Sequence, residues 1–365
     1  GRGGNQAVVK DREKISYYGG KVQVVERNTR VKARVKAHAL REIMETKEKI
    51  VIMGHNYPDV DAIGSAVGIY RMAKTLGKRA YIVVNETTFS IRPIMETFVG
   101  NSVYEEDMFV NNEEAEDIVD SETLLVVVDV NRPSYTQCPI LLNMTRTVVV
   151  IDHHRQTSEI IENPILSYIE PFASSASEMV AEILQYAAER PNLRANEADA
   201  LYGGILIDTD NFVTKTGVRT FEAAAYLRRN GADVVRVRKM FRNDMTTYRA
   251  RANAVKNAEI FMESYAMSIF KATDIDSPTV VAAQVANALL DISGIKASFV
   301  VTDMNGTIYM SARSIDELNV QLVMEHFDGG GHANVAGAQL HDCTAEEAMT
   351  QLKNVLKTMI EEGEL

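Results

Sequence analysis

Four short runs of Val, Ile and Leu set the strongest limit on how this chain folds. They are KIVIMG (49–54), AYIVV (80–84), TLLVVVDV (123–130) and TVVVID (147–152). A strand with one wet face alternates apolar with polar side chains. A run without that alternation belongs to a strand buried on both faces, the situation in a parallel sheet flanked by helices. The segments between the runs read as amphipathic helices. Ala62, Ile63, Ala66, Val67, Tyr70, Ala73 and Leu76 recur at helical spacing, and Gly77 is placed to close that helix. Residues 174–189 and 196–206 carry the same period. Over 37–230 the expectation is a doubly wound α/β domain on a parallel sheet, whose ligands lie beyond the carboxyl ends of the strands.

Residues 231–260 are rich in charge and lack a strand pattern, so a helical linker is expected there. A smaller α+β domain is expected over 261–365. Its strands are YAMSIFK (265–271), IKASFVVTD (295–303) and TIYMSARS (307–314), with Met304-Asn305-Gly306 as a hairpin turn and helices at 278–290 and 344–361. The first 36 residues differ. Gly1, Gly3, Gly4, Gly19 and Gly20 punctuate two β-like pieces, AVVK and KVQVVE, ahead of Arg27, Arg30, Lys32, Arg34 and Lys36. This leader reads as a solvated, partly helical linker or as the remnant edge of a preceding domain. With no initial Met and no signal-peptide pattern, the chain is expected to be a piece of a longer protein.

Composition narrows the partners. With 39 basic and 50 acidic residues the formal net charge is −11, which disfavours a broad cationic face for long nucleic acid but leaves room for a small phosphate ligand. Cys138 and Cys343 are the two cysteines, too few for a disulfide scaffold or a thiolate zinc site, and they fit a reducing compartment. No apolar run approaches the ~18 residues of a membrane span, so no membrane contact is expected of this fragment.

The chemistry-bearing residues gather at the ends of apolar segments. His55, Asp59 and Asp61 follow KIVIMG; Asp129 ends LLVVVDV; Asp152, His153 and His154 end VVVID; Asp208 and Asp210 follow YGGILI. Four segments thus aim carboxylates and imidazoles at one edge of the sheet. Carboxylates crowded together repel unless cations neutralise them. Mixed Asp and His donors without thiolate suit Mn²⁺, Fe²⁺ or Mg²⁺ better than structural zinc. Two such cations about 3.5–4 Å apart, bridged by a carboxylate, clamp a phosphate ester and activate water. One at a time, the residues have plainer readings, an Asp at a strand end most often being a helix cap. Their joint placement is what points to a metal site. In the second domain, Gly329-Gly330-Gly331-His332 offers backbone N–H groups that a phosphate or base edge can approach. Arg313, in Ser311-Ala312-Arg313-Ser314, supplies a bidentate phosphate donor.

In this order, His55-x3-Asp59-x-Asp61, Asp129, Asp152-His153-His154 and Asp208 resemble the motifs of the DHH phosphoesterase superfamily. GGGH with its flanking SARS resembles the DHHA1 domain that follows in one subgroup. GHNYPDVDAIGSA, GGILIDTDNF and SARSIDELNVQLVMEHFDGGGH narrow the resemblance to the GdpP type of cyclic-di-AMP phosphodiesterase, and GRGGNQAVV resembles the tail of the degenerate GGDEF domain preceding it there. One departure stands out: Asp328 occupies the first of four positions that are commonly glycine in that family.

The resemblance implies two Mn²⁺ per active site. His55, Asp59 and Asp129 would hold one, and Asp61, Asp129, His153 and Asp208 the other. Asp152 would orient a ligand imidazole. His154 would face the scissile phosphate, Asn211 would touch substrate, and Arg313, Gly330, Gly331 and His332 would hold the distal nucleotide. The implied reaction is attack of metal-bound hydroxide on cyclic di-AMP to give 5′-pApA. The nearest alternative is a nanoRNase and pAp phosphatase acting on short linear nucleotides. A manganese pyrophosphatase, a processive single-strand nuclease and a silent nucleotide sensor fit less well. The resemblance further implies a homodimer and a cytoplasm-facing fragment of a membrane-anchored bacterial protein.

Overall fold

The computed structural model describes the chain except residues 1–6, 12–13, 19–28, 188–191, 272–274, 276, 316–317 and 364–365. KVQVVE and the start of the leader lie outside the described residues. The chain divides into two compact units, 1–240 and 241–365.

The first unit opens with an antiparallel hairpin, β1 (Ala7–Asp11) and β2 (Lys14–Tyr18), and helix α1 (Thr29–Glu45). There follow β3 (Lys49–Met53), α2 (Val60–Thr75), β4 (Arg79–Val83), the single turn α3 (Arg92–Met95), β5 (Phe109–Val110) and α4 (Asn112–Ile118). Next come β6 (Leu124–Val128), the short α5 (Leu141–Met144), β7 (Thr147–Asp152) and β8 (Leu166–Ile169). Helices α6 (Ala176–Ala187), α7 (Ala195–Asp208), α8 (Val218–Arg229) and α9 (Val234–Met240) complete the unit.

Strands β3 to β8 form one parallel sheet in the order β5-β4-β3-β6-β7-β8. The run LLVVV of β6 is buried along its whole length because it sits in the middle, covered on both faces. The edge strand β8 alternates buried and exposed residues instead. Strand order reverses between β3 and β6, which makes their carboxyl ends the switch point where open α/β sheets bind ligands.

Helix α2 departs from the amphipathic expectation. Every residue from Val60 to Tyr70 is buried, because the helix lies between the sheet and helices α6 and α7. Glycines permit that approach. A Cβ at Gly64 would stand 2.5 Å from the Ala200 carbonyl oxygen, and one at Gly204 would stand 2.3 Å from Ser177 Oγ and 2.8 Å from Asp61 Oδ1.

The second unit contains α10 (Met245–Lys256), β9 (Glu259–Phe261), β10 (Tyr265–Phe270), α11 (Pro278–Leu290), β11 (Ala297–Met304) and β12 (Thr307–Ser314). It continues with α12 (Val320–Glu325), β13 (Gly330–His332), β14 (Val335–Leu340) and α13 (Ala345–Glu361). Its sheet runs β13-β14-β12-β11-β10-β9, antiparallel except for the β10–β11 pair. Asn305 (φ 55°) and Gly306 (φ 87°) make the tight turn between β11 and β12. Alternation on the strands feeds two cores. Met267 and Phe299 pack with α13 residues such as Leu352 and Leu356, while Ala266, Phe270 and Val300 pack with α11 residues such as Val285 and Leu289.

The stretch 231–260 is not one linker helix. Gly231, at φ 101°, stops α8. Residues 234–240 then form α9 of the first unit, and Asp244 caps α10 of the second by accepting from Thr247 N. Residues 259–261 add the edge strand β9.

Candidate metal centre

The centre grows from the switch point. Gly54 and His55 follow β3 directly, while Asp129 follows β6. Asp129 adopts φ 58°, uncommon for a residue with a side chain, and its N–H still continues the sheet to Ile151 O at 2.9 Å. Asp59 caps α2, its Oδ1 accepting from Asp61 N and Ala62 N at 2.9 Å each. Asp61 begins that helix fully buried. Its Oδ2 accepts from Ala176 N at 2.6 Å and its Oδ1 from Ser177 N at 2.8 Å, so the N-terminus of α6 clamps the carboxylate.

The donors converge on Asp129. His55 Nε2 lies 3.6 Å from Asp59 Oδ1 and 3.6 Å from Asp129 Oδ2. His153 Nε2 lies 3.3 Å from Asp129 Oδ1, 3.3 Å from Asp208 Oδ2 and 3.9 Å from Asp61 Oδ2. Two groups of possible metal donors follow, His55–Asp59–Asp129 and Asp61–His153–Asp208, each with its ligand atoms within 4.8 Å of one another. Asp129 also groups with His153 and His154.

A cation fits this set. Among the described residues, Asp129 Oδ1 and His153 Nε2 are buried without a hydrogen-bond partner although they face each other. Such orphaned atoms cost free energy unless something bridges them. The charges argue alike. Burial pushes the Asp61 carboxyl up to about 7, the Asp129 charge adding to it against the pull of His153. Burial, then the charges of Asp61 and Asp59, raise Asp208 well above the carboxylate range. Burial also opposes ionisation of Asp129, but His153 and His55 win and hold it below that range. Burial disfavours the imidazolium form of His55, yet Asp129 and Asp59 raise its pKa to about 10. His153 is likewise raised to about 10, by Asp129, Asp61 and Asp208. These shifts mark carboxylates crowded beyond the counter-charge around them, and oxygen and imidazole donors of this kind take Mn²⁺, Mg²⁺ or Fe²⁺.

Beside the donors stands a second pair. Asp152 ends β7 fully buried. Its Oδ1 accepts from His154 N at 3.1 Å and lies 2.8 Å from His154 Nδ1. The imidazole that Asp152 orients is therefore His154, whereas the resemblance implied a ligand imidazole. The His154 ring is half exposed (48%), with Nε2 as its second ring nitrogen. Asn131 supports the pair, its Nδ2 donating to Asp152 Oδ2 and, at 3.3 Å, to His154 O.

Asp208 reaches the cluster from the last residue of helix α7, not from a strand end. YGGILI is helical, and Gly204 within it lets α7 approach Asp61 and Ser177 closely. Asp210, Asn211 and Phe212 then take three successive positive φ values, 46°, 59° and 65°. Asn211 is exposed, with its amide 3.5 Å from Asp210 Oδ1.

A cleft of about 380 Å³ opens on the centre, lined by His55, Asn56, Tyr57, Asp59, Asp129, Val130, Asn131, Arg132, Tyr135, His154 and Arg155. In the second unit, Gly330 and Gly331 lie with the backbone of His332 on edge strand β13, paired to β14. Space explains two of the three glycines. A Cβ at Gly329 would stand 2.3 Å from Gly337 O and one at Gly331 2.4 Å from Val335 O, whereas one at Gly330 would meet nothing within 4 Å. Asp328 is exposed at φ 54°, a conformation that aspartate tolerates better than most residues. Arg313 sits half-buried on β12, donating from Nη1 to Ala312 O at 2.9 Å.

Sequence reasoning passed over Asn131, Gly204 and the Ala176–Ser177 amides. Only Asn131, two residues beyond Asp129, had a positional signal. The other contacts come from helices distant in sequence.

The fold and site define a class: two-unit α/β proteins with a carboxylate–histidine centre for divalent cations at the sheet's switch point. Residues 49–205 match the family model for the DHH family N-terminal domain, and residues 264–362 match the DHHA1 domain. The chain belongs to the DHH family, in its DHHA1-bearing branch. It is 42% identical over 371 residues to the cyclic-di-AMP phosphodiesterase GdpP of Geobacillus thermodenitrificans, covering 100% of this chain and 56% of that protein. It is 40% identical over 358 residues to the cyclic-di-AMP phosphodiesterase PdeA of Listeria monocytogenes, covering 96% of this chain and 54% of that one. The chain therefore spans little more than half the length of these relatives. In fold it is similar to an exopolyphosphatase-related protein from Bacteroides fragilis, with a TM-score of 0.76 at 19% identity over 90% of this chain and 98% of that one.

Proposed function

We propose that this chain hydrolyses one 3′–5′ phosphodiester of cyclic di-AMP, giving linear 5′-pApA. The observation that carries the reading is the 42% identity, running through the whole chain, to a cyclic-di-AMP phosphodiesterase. Two manganese ions are the cofactors of this reading: His55, Asp59 and Asp129 hold one, and Asp61, Asp129, His153 and Asp208 the other, with Asp129 shared. Bound there, such cations neutralise phosphate charge and supply an activated water.

The rest falls to side chains. With Nδ1 turned to the Asp152 carboxylate, a proton that the ring hands on would sit on Nε2. As the P–O3′ bond breaks, that Nε2 proton passes to the leaving oxygen, and Asp152 holds the ring in position. Asn211, Arg313, Gly330, Gly331 and His332 bind the nucleotide. Gly330, with open space where a side chain would stand, leaves its backbone open to a ligand. The working form is taken to be a homodimer, facing the cytoplasm as part of a longer membrane-anchored protein.

The test is metal-dependent product formation. Protein stripped with a chelator and given cyclic di-AMP should yield no pApA until Mn²⁺ is restored. Equal turnover in excess chelator overturns the reading.

A further inference from the structure

We propose that Tyr135, with Arg132 against its ring, is a stacking platform for a substrate nucleobase beside the metal centre. This deepens the nucleotide-hydrolysis reading and rests on it. The Arg132 guanidinium lies over the Tyr135 ring, 5.3 Å from its centroid, and both side chains line the cleft that His55, Asp59, Asp129 and His154 also line. Tyr135 is half exposed (51%).

A lone surface aromatic means little. This one is locked to the centre. Residues 133–135 form a 3₁₀ turn, begun by Pro133, that carries Tyr135. Tyr135 O accepts from Asn56 N at 2.7 Å, Gln137 N donates to Gly54 O at 2.9 Å, and Thr136 bridges His55 in antiparallel fashion. The Tyr135 backbone is thereby stitched to the very loop that carries His55 and Asp59. On the other side, Ser134 N and Oγ each donate to the Glu159 carboxylate at 2.8 Å. The ring's backbone is thus fixed relative to the groups that would hold the phosphate.

A cleft of about 380 Å³ is of small-molecule size. Its lining joins Asp59 and Asp129, matched to cations and phosphate, with an aromatic ring capped by a guanidinium, which suits the π-face of any base. Pre-positioning of this kind lowers the ordering cost of binding.

The experiment is calorimetric binding of AMP and of ribose 5-phosphate to the full chain with Mn²⁺. Tyr135→Ala should weaken AMP at least about tenfold, the scale of one lost base stack, and shift ribose 5-phosphate by no more than about twofold. Tyr135→Phe should keep AMP within about twofold. The platform is overturned if Tyr135→Ala leaves AMP unchanged, or if it weakens both ligands alike, the signature of a phosphate contact or a disturbed loop. Binding is read without turnover. A wild-type chain that ignores cyclic di-AMP yet shows the Tyr135-dependent preference for AMP would sink the phosphodiesterase reading and leave the platform standing.

Discussion

Asp129 concentrates the chemistry of the site in one side chain. Its backbone takes a left-handed conformation, and its two oxygens face two different imidazoles, His55 and His153. Asp129→Asn removes the charge that, in the proposed arrangement, both metal ions would share. It should lower Mn²⁺-dependent turnover at least about 10²–10³-fold and abolish the rise in thermal midpoint that Mn²⁺ gives the parent protein. Turnover that survives would contradict the shared-ligand assignment. Asp152→Asn tests a different role. It should reduce kcat about 10²–10⁴-fold while Mn²⁺ affinity stays within about threefold, since Asp152 bonds to His154 and Asn131 and stands outside both donor groups. The raised histidines make a further claim. With pKa values near 10, His55 and His153 carry protons at pH 7, and a cation binds only the neutral ring. Mn²⁺ binding should therefore release protons and weaken as pH falls. Calorimetry in buffers of differing ionisation enthalpy measures the release, and a value of zero would contradict the ion pairing described.

Among the elements, the close contact of α2, α6 and α7 sets the centre's geometry. Gly204→Ala drives a methyl against Ser177 Oγ and Asp61, which should cost about 1–3 kcal/mol of stability and weaken Mn²⁺ binding by displacing Asp61. Adding Ser177→Ala should recover part of the stability, as denaturant melts of the single and double variants will show. These contacts also mark the limit of what the residues alone reveal. β3, β6 and β7 were legible because burial on both faces leaves an unbroken apolar run, and the His and Asp residues at their ends could be placed at once. The short strands β5, β8, β13 and β14 were not. They are two to six residues long, and what defines them is backbone pairing to a neighbouring strand, not an apolar run of their own. Gly204 illustrates the same gap, since it serves a helix–helix contact that no local pattern announces. The partner of Asp152 was hidden for a similar reason: which of two adjacent imidazoles turns back is decided by the loop after β7 and by Asn131.

At the scale of the whole molecule, each unit has its own sheet and core, and the donor set lies entirely within the first. Mn²⁺ at about a hundred times its Kd should add about 2.7 kcal/mol to the folded state. Removing it with a chelator should lower the thermal midpoint by about 5–10 °C, measured by calorimetry. No shift would mean that the carboxylate cluster binds no cation. Among the described residues no helix is long and apolar enough to cross a membrane. Substrate choice is decided by separate incubations of the chain and Mn²⁺ with cyclic di-AMP, linear pApA and pyrophosphate, followed by chromatography of the products. The expected result is rapid opening of the cycle to pApA, which then accumulates. Cleavage of pApA to AMP much faster than the cycle opens would contradict it, and would assign the centre to short linear nucleotides instead.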